Sequence, residues 1–106
     1  MSGLSEVGLL AFSGALVAVG LFGILTRRNF ILLLVAIEIA MNAAILNFVY
    51  FAAYAPTAAG GLSGQAIAVV LVGFAATEVA VGLAIVLALN RAKGTINVAE
   101  ATELRL

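Results

Sequence analysis

The sequence contains no cysteine, no histidine, no aspartate and no tryptophan, and it has a single proline, Pro56. Without Cys and His it lacks the thiolate and imidazole ligands that hold iron–sulfur clusters, structural zinc and most haems. The chain is therefore not expected to hold a redox centre or to run nucleophilic chemistry by itself. Charge is scarce too: 9% of the 106 residues are charged, against about 25% in a typical soluble domain. So little polar surface excludes a water-facing globule. The five basic residues are offset by five glutamates, so no basic surplus points to nucleic acid. The absence of cysteine says nothing of redox compartment.

What the chain does contain is apolar length, with 65% of its residues hydrophobic. Val7 to Leu25 is an uncharged run of 19 residues, long enough at about 1.5 Å per residue to cross a hydrocarbon core of roughly 30 Å. The charged break Thr26-Arg27-Arg28-Asn29 separates it from a second apolar stretch, 30–54, interrupted only by Glu38, Asn42 and Asn47. Residues 55–64 hold Pro56 and the Gly60-Gly61 pair, which predict a turn outside the hydrocarbon. A third stretch covers about 65–89 and contains Glu78, and the remainder, 90–106, carries Arg91, Lys93, Glu100, Glu103 and Arg105 and reads as a short exposed tail. The expected fold is an all-α integral membrane protein, one membrane domain over 1–106 with three transmembrane helices. The first helix is expected to be retained: a signal peptide has a basic leader and a shorter apolar core, whereas the only charge before this run is Glu6.

All five basic residues fall in the first connection and the tail, which three spans place on one side. The positive-inside rule makes that side the cytoplasm or its organellar equivalent, with the N-terminus and the Pro56 loop outside. That rule alone accounts for Arg27 and Arg28 as topology signals. A contact with an acidic partner or a lipid headgroup is their functional alternative.

Glu38 lies ten residues beyond Arg28 and Glu78 thirteen before Arg91, so both are expected near the membrane midplane, roughly 15–20 Å from the basic end. An acidic residue at that depth costs on the order of 2.5–3.5 kcal/mol on the insertion scale, which the flanking Leu, Ile, Val and Phe offset. Acidic residues in such positions mark proton and ion pathways, or else sit protonated in a helix-packing contact. Asn42 stands four residues after Glu38, about 40° round the same helix face, within reach of the carboxyl. Asn47 points roughly opposite to Glu38 and takes no role. Ala36, Ala40 and Ala44 on the second segment, and Ala76, Ala80, Ala84 and Ala88 on the third, form small-residue stripes of the kind that lets helices approach closely. At 100° per residue each glutamate points about 140–160° away from its stripe, so a face of each helix is left for further membrane subunits. The glycines of the first segment, Gly8, Gly14, Gly20 and Gly23, form no single face.

Several stretches resemble a known family: Leu25-Thr26-Arg27-Arg28-Asn29, Ile37-Glu38-Ile39 through Met41-Asn42-Ala43 to Leu46-Asn47, Gly64-Gln65, and Ala76-Thr77-Glu78-Val79-Ala80-Val81-Gly82-Leu83-Ala84 ending in Asn90-Arg91. Together they look like the small K subunit (NuoK) of proton-pumping NADH:quinone oxidoreductase, respiratory complex I. The resemblance runs over nearly the whole chain. It departs at Thr77, where the family more often has alanine, at Phe30 and Ile31, where some members have a further basic residue, and in a somewhat long outward loop.

The resemblance implies a membrane-arm subunit in the cell inner (plasma) membrane or an energy-transducing organellar membrane, beside J-, A- and antiporter-like N-type subunits. It carries the family's two relay glutamates over to Glu38 and Glu78 and its loop basic pair to Arg27 and Arg28. It implies no cofactor in this chain, with FMN, iron–sulfur clusters and quinone held by other subunits. Equivalent small subunits occur in dehydrogenases of a reduced deazaflavin, photosynthetic ferredoxin-dependent complexes, membrane-bound hydrogenases and Mrp antiporters. A purely structural assembly subunit and a small multidrug-type transporter are the readings of a different class.

Overall fold

A computed structural model describes residues 3–101, apart from the side chain of Leu4; Glu103 and Arg105 lie outside the described residues. Three long helices follow one another, α1 (Gly3–Thr26), α2 (Phe30–Ala53) and α3 (Ala58–Lys93), with a single-turn α4 (Val98–Ala101) at the end. Each of the three is long and apolar enough to cross a membrane. α2 packs against both neighbours, while α1 and α3 scarcely meet. The result is an elongated unit 54 Å in its longest dimension, with α2 in the middle.

Local chemistry sets most of the breaks. Asn29 caps α2: its backbone is extended and its side chain accepts from the N–H groups of Ile31 and Leu32, at 2.9 and 3.3 Å. The three residues Arg27 to Asn29 thus form the whole connection. Thr57 caps α3 in the same way, accepting from Gly60 N–H at 3.1 Å, with Pro56 just outside the helix where its missing N–H costs nothing. Gly94 ends α3 in the left-handed conformation at φ 70°, which favours glycine because it has no Cβ.

Two expectations are corrected here. α3 starts at Ala58 rather than near 65, so the connection after the second helix is largely helix and Gly60-Gly61 is not a turn. The reason is a close approach. A Cβ on Gly61 would lie 2.9 Å from the Ala52 carbonyl oxygen, and one on Gly64 would lie 2.6 Å from the Ala52 Cβ. Glycine there lets the start of α3 press against the end of α2. The tail is likewise not simply an exposed end. α3 continues to Lys93, and the chain then returns over the first connection: Phe30 N–H donates to Ile96 O at 2.9 Å and Val98 N–H to Arg28 O at 2.6 Å, with Asn29 and Asn97 forming an isolated antiparallel bridge. Asn97 caps α4 through Ala99 N–H, and Thr95 donates its hydroxyl hydrogen to the Glu100 carboxylate at 2.7 Å.

The α1–α2 seam is built from residues with almost no side chain. A Cβ on Gly20 would fall 2.7 Å from the Ala40 Cβ and 2.9 Å from the Ala36 carbonyl oxygen, and one on Gly23 would fall 2.6 Å from the Ala36 Cβ. Ala36 and Ala40 of the α2 stripe therefore serve α1, Ala44 being exposed, and two of the α1 glycines do share a face. On the α2–α3 seam the core is Ile45, Ala68 and Ala75, flanked by Met41 and Leu71.

Candidate functional site

The α2–α3 contacts define where the two membrane glutamates stand. Gly64 sits against Ala52, and Gly82 sits against Leu34, whose Cδ1 would be 2.9 Å from a Cβ at Gly82. In antiparallel helices these two pairings set a register in which each step along α2 is matched by one step back along α3. Glu38, four residues on from Leu34, is consequently level with Glu78, four residues before Gly82. Equal depth, inferred from the spacing to basic residues, has its counterpart in this register.

The two carboxyl positions nevertheless lie on different sides of the seam. Glu38 shares its face of α2 with Val49, eleven residues on, which lines a cleft with Gln65, Ala68, Val69 and Val72 of α3. Glu78 shares its face of α3 with Ile85, seven residues on, which lines the opposite cleft with Leu33, Ile37 and Gly82. By the 100° rotation per residue, the glutamates stand about 45° and 60° away from the line of contact, in opposite senses.

Their surroundings differ as well. Glu38 is half-buried, and its Oε1 is enclosed without a hydrogen-bond partner within the chain. Glu78 is exposed on the outside of the three-helix unit. Asn42 is exposed on Glu38's side, and the hydrogen bond that its spacing permits is not made: the carboxyl oxygen stays unpaired. An enclosed polar atom without a partner is costly, so Glu38 has capacity for a donor from outside this chain. The alanine stripe of α3 does not meet α2; Ala76, Ala80, Ala84 and Ala88 are all exposed on its far side.

One polar locus escaped the sequence reading. Ser13 is buried at 4% exposure and sits seven residues from Gly20, on the α2-facing line of α1. Asn47 is seven residues from Ala40, on the α1-facing line of α2, and the Gly20–Ala40 contact sets these two polar residues level with each other. The Asn47 Oδ1 and the nearby Tyr50 hydroxyl are enclosed without partners, while Ser13 donates back to the Leu10 carbonyl at 3.2 Å. The seven-residue spacings were visible in the sequence, but nothing local said that these faces meet.

Arg27 and Arg28 are both exposed at the end where α1 stops. The Arg28 carbonyl is held by Val98, whereas Arg27 stands at the mouth of a trough between α1 and α2. Arg91 and Lys93 close α3 at that same end. Chemically, the described residues offer two carboxyls at one depth on one unit, side-chain amides, and a basic rim.

Residues 8–106 match the family described as NADH-ubiquinone/plastoquinone oxidoreductase chain 4L. Among similar proteins, NADH-quinone oxidoreductase subunit K of Anaeromyxobacter is 46% identical over 85 residues, covering 80% of this chain and 82% of the relative. The subunit K of Deinococcus radiodurans is 43% identical over 96 residues (91% of this chain, 89% of the relative), and that of Geobacillus kaustophilus 41% over 96 (91% and 93%). With the match running through all three helices, both glutamate positions and the Arg27-Arg28 connection, the chain belongs to the chain 4L/subunit K family of NADH-quinone oxidoreductases.

Proposed function

We propose that the chain is a membrane-arm subunit of a complex I-type NADH:quinone oxidoreductase, in which Glu38 and Glu78 are two stations of a proton path coupled to quinone reduction. The observation that carries this reading is the register: two carboxyls at one level, on opposite sides of the seam between two membrane helices. A proton moving sideways through the membrane arm would reach Glu38 from one neighbouring subunit and leave from Glu78 to another, with bound water or a neighbour's side chain supplying the partner that the Glu38 Oε1 does not find within this chain. Carboxyls suit this step because each can hold a proton and give it up.

In this reading the N-terminus faces outward and the Arg27 end faces the cytoplasm or organellar equivalent, in an inner plasma membrane or energy-transducing organellar membrane. The partners are J-, A- and N-type membrane subunits. The chain itself binds no cofactor and is not catalytic alone; FMN, iron–sulfur clusters and quinone belong to other subunits.

The test uses the assembled complex in membrane vesicles, with NADH-driven acidification measured beside NADH oxidation by a soluble artificial acceptor, which reports the electron-input arm. Glu38→Gln is expected to lower coupled pumping at least tenfold, and Glu78→Gln to weaken it less. Full coupled pumping by the double Gln variant sinks the relay. The exposed alanine stripe of α3 favours a second, assembly role. That role alone predicts normal pumping in both Gln variants and loss of the complex in Ala80→Phe.

A further inference from the structure

We infer that the trough between the Arg27 ends of α1 and α2 is a binding site for one anionic phospholipid, with an acyl chain along the trough and the headgroup on Arg27. At its floor Gly23, with no side chain, meets the methyl of Ala36, and the gap above them is walled by Val19 and Phe22 of α1 and by Leu32, Val35 and Ile39 of α2. The walls are apolar and open to the outside: Phe22 is 62% exposed and Val35 48%. From Arg27 back to Val19, or from Leu32 to Ile39, is about 10–12 Å along a helix, within the roughly 15 Å depth of one leaflet. The gap, about 290 Å³, is open along the α1–α2 surface, so a hydrocarbon chain can lie in it with its head at Arg27.

Charge selects the headgroup. Arg27 stands at the open end, and no carboxylate pairs with it among the described residues. Arg28, Arg91 and Lys93 gather at the same end, and the one described acid there, Glu100, accepts from Thr95. An exposed guanidinium at the membrane boundary, over an apolar slot, matches a phosphodiester whose tail enters the hydrocarbon. This inference rests on the chain lying in a membrane and not on the proton path.

The experiment uses the assembled complex in lipid nanodiscs containing either a phosphatidylglycerol or a phosphatidylcholine probe, each with a photoactivatable diazirine on one acyl chain. Adducts are mapped by peptide mass spectrometry. The anionic probe is expected to label residues 19–39 several-fold more than the zwitterionic one. Arg27→Gln should cut that labelling about fivefold, the factor that one basic residue near an anionic surface contributes. Val35→Trp should abolish labelling by both probes, because it fills the slot from an exposed position. With the unmodified complex, raising the ionic strength should reduce anionic labelling and leave zwitterionic labelling unchanged, which tests the headgroup contact even where a variant fails to assemble. Equal labelling by the two probes, or labelling insensitive to salt, overturns the headgroup assignment. Absence of adducts in the trough overturns the site.

Discussion

α2 meets α1 and α3 by different means. Toward α1 it offers Ala36 and Ala40 to the bare backbone of Gly20 and Gly23, so that contact has almost no side-chain freedom. Toward α3 it offers Leu34, Met41 and Ile45, which fill the seam with side chains that have rotamers to choose from. The glutamates flank the second seam, not the first. In the proposed proton path, carboxyls beside a seam of rotameric side chains could change their surroundings without moving a backbone, whereas the α1–α2 seam, built on Gly20 and Gly23, leaves little side-chain freedom. Gly64 against Ala52 is the exception on the α3 side, stiff at the Pro56 end, so any freedom in that seam lies toward Leu34 and Gly82.

The largest expected effect breaks the rigid seam. Gly20→Leu puts atoms where the Ala40 Cβ and the Ala36 carbonyl already are. Overpacking costs about 1–3 kcal/mol in a well-packed interior and more when a backbone has to yield, so loss of the subunit from the complex is expected on a native gel. Gly14→Ala, which meets nothing within 4 Å, should leave assembly unchanged. If both substitutions behave alike, the α1–α2 seam is not the tight contact described.

Next comes a comparison within the α2–α3 seam. Gly64→Ala meets the Ala52 Cβ, which cannot turn away, and should lower the thermal stability of the complex by the equivalent of about 1–3 kcal/mol. Gly82→Ala meets only the far end of Leu34; a rotamer change there, with the helix propensity that alanine adds, should leave stability within about 1 kcal/mol. Equal losses would show that the Leu34 end is as stiff as the Ala52 end.

The smallest effect is at the connection. Asn29→Ala removes the acceptor for two N–H groups at the start of α2, worth about 1 kcal/mol. The backbone bonds from Phe30 to Ile96 and from Val98 to Arg28 remain. A small drop in thermal stability is expected, with proteolysis of the tail little changed.

Much of this organisation is readable along the chain. The apolar runs announced three spans, and the charged break ending at Asn29 placed the start of α2 at Phe30, where it begins. The spacing of Glu38 and Glu78 from basic residues placed them level with each other, as the α2–α3 register does. Gly60-Gly61 misled because a glycine pair is also what a close helix crossing needs, and only the position of Ala52 distinguishes the two. The return of Ile96 and Val98 over Arg28 and Phe30 was invisible because backbone hydrogen bonds leave no side-chain pattern. Gly20 and Gly23 carried no message until Ala36 and Ala40 faced them. Asn47 was passed over for the same reason: its partner face, with Ser13, belongs to another helix.

By itself the sequence determined the number of apolar spans, the gathering of Arg27, Arg28, Arg91 and Lys93 at one end, and the similar distance of each carboxyl from that end. These are local quantities, fixed by the length of an apolar run and the rise of a helix. The tertiary structure alone decided that Glu38 and Glu78 stand on opposite sides of the α2–α3 seam. The rotation per residue relates positions within one helix, and only contacts such as Leu34 on Gly82 fix the rotation of one helix against another.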